Sequence, residues 1–381
     1  MAISRRNFFR HATIGAAASA TTWRLHELSQ AGPQSRSGSA PIRLDTNINP
    51  YGPSPRVVEV IRANLELVNQ YPDSEYGPLV ERIADFHRVK PKQITLGCGS
   101  REILRMTVAN FLTAGKRFVL ASPTYGPAAS LAQQVGAEVT AVPINKLYAH
   151  DLDGILHHAS ASTGLVYICN PNNPTGSLTP RKDLEAFLEK LPCKVVVVID
   201  EAYHEYVGPH SDYASFIDHP IDDKRVLVMR TFSKIYGLAG LRLGYAVSSE
   251  NVSLKLSRMQ LERGVNIVAA RAAVAALDDS DYVGLSSKRN ADERQEFYNQ
   301  TNARMLRQID SHTNFVFLKF GLPSSQVVEH FVRNNITLGP VFPQIAKHVR
   351  VAVSTQANMS EFWRVWDLLP MSHEMAMEAP T

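Results

Sequence analysis

The stretch Arg230-Thr-Phe-Ser-Lys-Ile-Tyr-Gly-Leu-Ala-Gly-Leu-Arg242 carries the strongest chemical signal in this chain. It places Lys234 beside the hydroxyls of Thr231 and Ser233, shortly after the apolar run 226–229. A lysine at a strand end, among groups that suit a phosphate, can form a Schiff base with a phosphorylated aldehyde. Such an amine must lose its proton, and a nearby cation and partial burial both lower its pKa. The alternative is an ordinary surface lysine in a loop.

Two more polar clusters directly follow apolar runs. Asn170-Pro-Asn-Asn-Pro-Thr-Gly176 comes after the run 166–169, and Asp200-Glu-Ala-Tyr203 comes after the run 195–199. Short β-branched runs are typical of buried parallel strands, and α/β sheets bind ligands at the carboxyl ends of their strands. A carboxylate, a phenol, an amide and a lysine at successive strand ends match the needs of pyridoxal phosphate, whose protonated ring acts as an electron sink.

Seven motifs follow one another along the chain: Asn49-Pro-Tyr-Gly-Pro-Ser-Pro55, Tyr71-Pro-Asp73, Gly97-Cys-Gly-Ser-Arg-Glu102, Pro123-Thr-Tyr-Gly126, Asn172-Asn-Pro-Thr-Gly176, Asp200-Glu-Ala-Tyr203 and Ser233-Lys234. With them the chain resembles a fold-type I pyridoxal-phosphate aminotransferase of class I/II. Within that group it is most similar to the histidinol-phosphate aminotransferase branch. The resemblance runs from about Ile42 to near Leu369.

This resemblance implies an α/β protein of fold type I, in which a large domain with a mostly parallel, helix-wrapped sheet is joined by a smaller α+β domain. Alternating helix and strand patterns between Tyr76 and Arg271 favour such a sheet independently. We predict a signal peptide at 1–20, a linker at 21–40, a large cofactor-binding domain at 76–275, and a discontinuous small domain formed by 41–75 and 276–381.

Hydrophobic spacing predicts the main elements. A helix beginning after Ser54 has apolar positions that continue to Val68, and a last helix is expected from Ser360. Strands are predicted at 94–96, 118–120, 166–169, 195–199, 226–229, 244–247, 315–320 and 349–353, and further helices at 103–111, from 278, and at 325–334.

The resemblance gives catalytic roles to three of the polar residues. Lys234 would form the Schiff base and then move a proton between the substrate Cα and the cofactor. Asp200 would pair with the pyridine nitrogen, while Tyr203, together with Asn173, would hold the oxygen of the ring's 3-hydroxyl. Asp200 as a helix N-cap and Asn173 as a turn residue are the plainer alternatives.

The cofactor phosphate needs hydrogen-bond donors and positive charge. Backbone amides at a helix start bind anions, and such a start lies at Gly99-Ser100-Arg101. The lysine loop adds hydroxyls and an arginine. The residues expected to bind pyridoxal 5'-phosphate are therefore Tyr71, Gly99, Ser100, Arg101, Tyr125, Asn173, Asp200, Tyr203, Thr231, Ser233, Lys234 and Arg242.

Two of these tyrosines carry separate expectations. Tyr125 would stack on the pyridine ring, the alternative being local packing in a turn. Tyr71 resembles the family tyrosine that reaches the cofactor phosphate of the neighbouring subunit, so the resemblance implies a homodimer.

Substrate binding is expected at Arg350, helped by Asn173. Arg350 matches the family arginine that grips the anionic end of the substrate, and a guanidinium binds a carboxylate or phosphate with two parallel hydrogen bonds. A solvent-facing strand arginine is the alternative. The chain departs from histidinol-phosphate aminotransferases at Gly339, where they usually carry a second arginine, and at Ile48, where a glutamate is common. We therefore expect an α-amino acid, with a 2-oxo acid as acceptor.

Three alternatives for the function stay open from the residues. The chain could be a histidinol-phosphate aminotransferase proper, a pyridoxal-phosphate decarboxylase, lyase or cyclase, or an exported binding protein that has lost activity. Fold does not fix reaction type.

Composition and the N-terminal residues limit the possible partners and the possible cellular location of the protein. The 381 residues carry a formal net charge of +4 without a block of like charges, so no nucleic-acid partner is expected. No spacing suggests a metal site, and three cysteines give no disulfide framework. Arg5 and Arg6, followed by Phe8 and Phe9 and a small-residue run at 12–20, resemble a twin-arginine signal. We expect an exported or periplasmic protein, or a cytoplasmic one if this leader is only a basic tail.

Overall fold

The computed structural model describes residues 40–113, 115–220 and 223–369. The predicted signal peptide and, except for Ala40, the predicted linker lie outside the described residues. Within the described part, no helix is both long and apolar enough to cross a membrane.

Helices and strands alternate along most of the described chain. The strands are β1 (Ile42–Leu44), β2 (Ile94–Gly97), β3 (Arg117–Ser122), β4 (Glu138–Pro143), β5 (Thr163–Cys169), β6 (Val196–Asp200), β7 (Val226–Thr231), β8 (Gly244–Ser248), β9 (Arg307–Gln308), β10 (Phe315–Lys319), β11 (Ile336–Leu338) and β12 (His348–Ala352). The helices are α1 (Pro55–Ala63), α2 (Asp73–His87), α3 (Ser100–Phe111), α4 (Pro127–Gln134), α5 (Leu152–His158), α6 (Arg181–Lys190), α7 (Glu250–Ser257), α8 (Ile267–Leu277), α9 (Ser280–Ala303), α10 (Ser324–Arg333) and α11 (Gln356–Trp366).

Seven strands form the central sheet, in the order β2-β8-β7-β6-β5-β3-β4. β8 is antiparallel to both of its neighbours, and the other pairs are parallel. This confirms the predicted α/β class with a mostly parallel sheet. β5, β6 and β7 are buried along their whole length, as expected for parallel strands covered by helices on both faces.

The two faces of this sheet pack into two hydrophobic clusters. The first contains Val166, Ile168 and Ile199, and the second contains Leu165, Tyr167 and Cys169. A third cluster forms around the sheet β12-β10-β9 and the parallel pair of β1 with β11, under α10 and α11. The predicted boundaries between a large and a small domain stay a prediction.

Two predicted helix boundaries are wrong. α1 ends at Ala63 and a 3-10 turn follows at Leu65–Asn69, where Leu65 and Val68 are 52% and 69% exposed. Their helical spacing therefore does not mark a buried face. α11 begins four residues before Ser360, because the Thr355 hydroxyl caps it by accepting from the Asn358 amide.

Candidate active site

A cavity of about 590 Å³ opens at the carboxyl ends of β5, β6 and β7, whose last residues all line it. This is the edge at which the sequence predicts a site. The predicted residues that line the cavity are Ser100, Arg101, Tyr125, Asn173, Asp200, Tyr203, Thr231, Ser233, Lys234, Arg242 and Arg350.

Lys234 follows β7 and reaches into the cavity. Its Nζ donates hydrogen bonds to the carbonyl oxygens of Thr46 and Asn47, at 3.1 and 3.0 Å. Burial lowers the pKa of this amine to about 7, and the positive charges of Arg350 and Arg242 act in the same direction while Asp200 opposes them. The lowered pKa makes the neutral amine accessible near neutral pH, which a nucleophile or general base requires.

Asp200 ends β6 with its carboxylate buried. Oδ2 accepts a hydrogen bond of 2.6 Å from the Tyr167 hydroxyl, and Oδ1 accepts one of 3.1 Å from the Ala202 amide. Burial raises the pKa of Asp200 to about 6, although these two donors and the Lys234 charge oppose the shift. The carboxylate also lines the cavity, where a protonated ring nitrogen can pair with it.

Tyr203 and Asn173 meet on one side of the cavity. The Tyr203 hydroxyl accepts hydrogen bonds from the side-chain amides of Asn173 and Asn47, at 3.1 and 3.2 Å. Burial raises the pKa of Tyr203, so the phenol keeps its proton. Because both amide bonds are donated to the oxygen, that proton can be donated to an oxygen of a ligand.

An anion-binding corner lies where α3 starts. Gly99, at φ +75°, precedes the first turn of α3, and the Arg242 guanidinium packs against it so closely that a Cβ there would collide with Arg242 Nη2. Arg242 Nη1 donates to Ser233 Oγ at 3.3 Å, and Ser100 and Thr231 line the same cavity. Helix-start amides, hydroxyls and a guanidinium form the donor set that a phosphate requires.

Three predicted cofactor residues lie at the margin or outside. Tyr125 is half-buried in the cavity wall, and Arg101 lines the cavity with an exposed side chain. Tyr71 is 72% exposed and is not among the residues that line this cavity; its ring lies 4.4 Å from the Arg263 guanidinium carbon.

Arg350, on β12, is buried against the cavity. Its Nη1 donates to Asn173 Oδ1 at 2.7 Å, and its Nη2 donates to the carbonyl oxygen of Asp45. Both acceptors are neutral, and among the described residues no carboxylate lies within ion-pair distance of Arg350. Burial lowers the pKa of Arg350 although the charge of Asp45 opposes this shift, and its buried Nε has no hydrogen-bond partner among the described residues, so this position favours an anionic ligand.

Sequence reasoning missed Thr46 and Asn47, which line the cavity and accept hydrogen bonds from Lys234. Asn47 has a positive φ of 52°, and its buried Oδ1 has no hydrogen-bond partner among the described residues. Asn314 holds this segment by donating from Nδ2 to the Asn47 carbonyl at 3.0 Å. The pattern Asn47-Ile-Asn-Pro, which overlaps a quoted motif, was the available signal.

Positive charge dominates the cavity. Its described lining contains Arg43, Arg101, Lys234, Arg242 and Arg350, against the carboxylate of Asp200. Arg43 is already paired with Asp45, which lies outside the lining. The cavity thus fits the phosphorylated cofactor that the resemblance implies, together with an anionic substrate. No group of three or more His, Cys, Asp or Glu in the described chain is arranged to hold a metal ion.

Comparison with known proteins also indicates an aminotransferase. The model of the family "aminotransferase class I and II" matches residues 39–365. Histidinol-phosphate aminotransferase of Caldicellulosiruptor saccharolyticus is 34% identical over 324 residues, covering 84% of this chain and 89% of that protein. The enzyme of the same name from Staphylococcus carnosus is 38% identical over 281 residues, covering 74% and 78%.

Solved structures agree with these relatives. Histidinol-phosphate aminotransferase from Sinorhizobium meliloti, in complex with pyridoxal-5'-phosphate, superposes with a TM-score of 0.80 at 29% identity, covering 86% of this chain and 90% of that one. Aspartate aminotransferase from Thermus thermophilus, with a TM-score of 0.74 at 19% identity over 86% and 92%, shares the fold.

The depressed pKa of Lys234 can be tested directly. In cofactor-free protein, we expect acetylation of Lys234 by acetic anhydride to rise with pH through a midpoint of about 7, since only the neutral amine reacts. Peptide mass spectrometry measures the acetylated fraction of Lys234 at a series of pH values. Nα-acetyl-lysine, whose pKa is about 10.4, is the reference amine.

The Arg350→Gln variant is the matched control. It removes a nearby positive charge, so the Lys234 midpoint should move upward. A midpoint close to that of the reference amine in the unmodified protein would contradict the burial argument.

Proposed function

Since the chain belongs to the aminotransferase class I and II family, we propose that its catalytic residue is Lys234 and that its substrate is an α-amino acid held through its carboxylate by Arg350. The protein is a pyridoxal-phosphate-dependent transaminase that exchanges an amino group between an amino acid and a 2-oxo acid. The predicted family, fold type and cofactor are thus confirmed, and transamination is favoured over the decarboxylase, lyase and cyclase alternatives.

The bound cofactor supplies an aldehyde that takes up the amino group and a ring that withdraws electrons from the substrate Cα. With the cofactor bound, Lys234 would supply the amine that holds the aldehyde. The same side chain would move the substrate Cα proton, a role that suits an amine whose pKa is lowered by burial.

The other residues hold and polarise the ring. Asp200 keeps a proton on the ring nitrogen, and Tyr203 and Asn173 bind the ring oxygen. The corner at Gly99 and Arg242, with Ser100, Thr231 and Ser233, binds the phosphate. Tyr125 covers the ring, and Arg101 contributes positive charge from the cavity margin.

The observation that carries the substrate proposal is the buried Arg350, whose described hydrogen bonds go to neutral oxygens. A substrate carboxylate compensates this charge with two parallel hydrogen bonds. Gly339 supports the same conclusion, because a Cβ there would lie 2.7 Å from the Arg350 carbonyl oxygen. A side chain here would require the backbone of β12 to shift, so the second arginine that the resemblance places at this position is not accommodated without rearrangement.

A substrate screen with two variants tests this function. Single turnovers of the holoenzyme with amino acids, and separately with histidinol phosphate, should favour an amino acid. Arg350→Lys keeps the positive charge but loses the paired N–H donors of the guanidinium, so KM for that amino acid should rise about tenfold to a hundredfold. Lys234→Ala should abolish turnover without unfolding the protein.

The proposal is contradicted if histidinol phosphate is preferred over every amino acid tested. Near-normal turnover by Lys234→Ala would instead remove the assignment of the catalytic lysine.

We also propose that the protein acts as a homodimer in which Tyr71 binds the cofactor phosphate of the partner. Tyr71 lies outside its own chain's cavity, and Leu65, Val68 and Leu261 are exposed apolar residues in neighbouring segments. Exposed apolar side chains near Tyr71 suit a protein interface, and a second copy of the chain is the proposed occupant.

Mixing two impaired variants tests this arrangement. Lys234→Ala lacks the amine, and Tyr71→Ala lacks the partner's contact. A mixed dimer of the two would contain one intact site, so subunit exchange should restore about a quarter of normal activity. The control is each variant taken through the same subunit-exchange procedure alone. A mixture no more active than the sum of its parts would place all site residues within one chain.

Finally, we propose export through a twin-arginine route, for which the pair Arg5-Arg6 is the support. Such a route carries folded proteins, which suits a cofactor loaded in the cytoplasm. Replacing both arginines by lysine should retain the protein in the cytoplasm of a host with this route. Fractionation and immunodetection measure the retention. Equal amounts of both proteins outside the inner membrane would overturn the proposal.

A further inference from the structure

Tyr167 is a buried phenol inside an apolar strand of the central sheet. It lies on β5, has no exposed surface, and packs near Phe118, with the ring centroids 6.5 Å apart. Its hydroxyl donates to Asp200 Oδ2 at 2.6 Å, which is the hydrogen bond the structure gives it within the described chain. A buried hydroxyl needs a partner, and this one lies on the carboxylate proposed to face the cofactor ring.

The strand register explains why the two side chains meet. Cys169, at the end of β5, is the Cα partner of Asp200 on β6, and Tyr167 stands two residues earlier on the same face of β5. Tyr167 and Cys169 therefore share the face towards which Asp200 points. Tyr167 and Asp200 are both held by buried strands in the middle of the sheet, so the position of neither depends on a loop.

The direction of this hydrogen bond favours the ionised form of Asp200, against the effect of burial. Burial raises the pKa of Tyr167 well above its ordinary value, so the phenol keeps its proton and acts as the donor. With the Ala202 amide on Oδ1, each carboxylate oxygen then has one protein donor. A protonated Asp200 would compete as a donor, and one of these bonds would be lost.

We propose that Tyr167 is a positioning residue for transamination: its hydroxyl holds Asp200 ionised and oriented towards the ring nitrogen of the cofactor. This inference rests on the proposed role of Asp200. Tyr167 acts through Asp200, because it does not line the cavity itself. Its donation lowers the basicity of the carboxylate, so the shared proton stays on the ring nitrogen, where it strengthens electron withdrawal.

Other groups also act on the charge of Asp200. Cys169 faces it from β5, Glu201 and Tyr203 from the residues after β6, and Lys234 from the residues after β7. All of them remain in a Tyr167→Phe variant, which deletes one oxygen and keeps the packed ring. The variant therefore isolates the hydroxyl.

The test uses holoenzyme loaded with cofactor carrying an isotopic label on the ring nitrogen. In Tyr167→Phe, the nitrogen signal in NMR at neutral pH should move from the protonated towards the neutral position, because Asp200 becomes more basic. Single-turnover removal of the substrate Cα proton should slow about tenfold to a hundredfold, with KM little changed.

Tyr245→Phe is the matched control. Tyr245 is equally buried in the same sheet, on β8, and its hydroxyl pairs at 2.7 Å with Nε2 of His87, away from Asp200. Losing this oxygen should change thermal stability without moving the ring-nitrogen signal. A shift of the same size in both variants would show a general effect of deleting buried hydroxyls and would overturn the inference.

A double-mutant cycle separates this inference from the function on which it rests. If Tyr167 acts through Asp200, Tyr167→Phe should have no further effect on the signal or the rate in an Asp200→Asn background. Strong effects of Asp200→Asn with none of Tyr167→Phe would overturn the role of Tyr167 and leave the proposed function standing. An Asp200→Asn holoenzyme with an unchanged signal and rate would overturn both.

Discussion

An excess of positive charge is the constraint on which this site depends. Lys234 and Arg350 reach the cavity from different parts of the chain, and their nearest described partners are carbonyl and amide oxygens. Burial lowers the pKa values of both groups, and for Lys234 the positive charge of Arg350 acts in the same direction. An anionic cofactor, together with the anionic substrate that we propose, would supply negative charge to this cavity, so their binding would lower its electrostatic energy.

The strand ends carry a second, separate set of charges. Asp200 faces the cavity, whereas the next residue, Glu201, accepts from the buried Arg230 at 2.9 Å and from Ser215. Arg230 in turn directly precedes Thr231, which lines the cavity. Because side chains alternate along a strand, each strand end serves catalysis on one face and anchoring on the other. A register slip of one residue would exchange the two sets.

How far the sequence could predict the site depended on what each residue contributes. The roles proposed for Lys234, Asp200 and Tyr203 depend on side-chain chemistry in recognisable motifs, and the structure brings these residues to one cavity. Thr46 and Asn47 contact the lysine through backbone carbonyls, which every residue type has, so only the pattern Asn47-Ile-Asn-Pro could have pointed to them. The sequence did not indicate a role for Tyr167, because an aromatic residue in an apolar run is typical of a hydrophobic core. Its contact with Asp200 depends on the register of β5 and β6. The ends of α1 and α11 were set by local capping and exposure rather than by hydrophobic spacing.

The contact between Asp45 and Arg350 joins residues 305 positions apart, and the pairing of β1 with β11 is similarly distant. Closing so long a loop costs chain entropy that local contacts cannot offset, so contacts of this kind form late in folding. During synthesis, the groups that receive the substrate cannot come together until nearly the whole chain has left the ribosome. The substrate-binding side of the cavity thus reports on the completed fold, and a partly folded chain has no means of gripping its substrate.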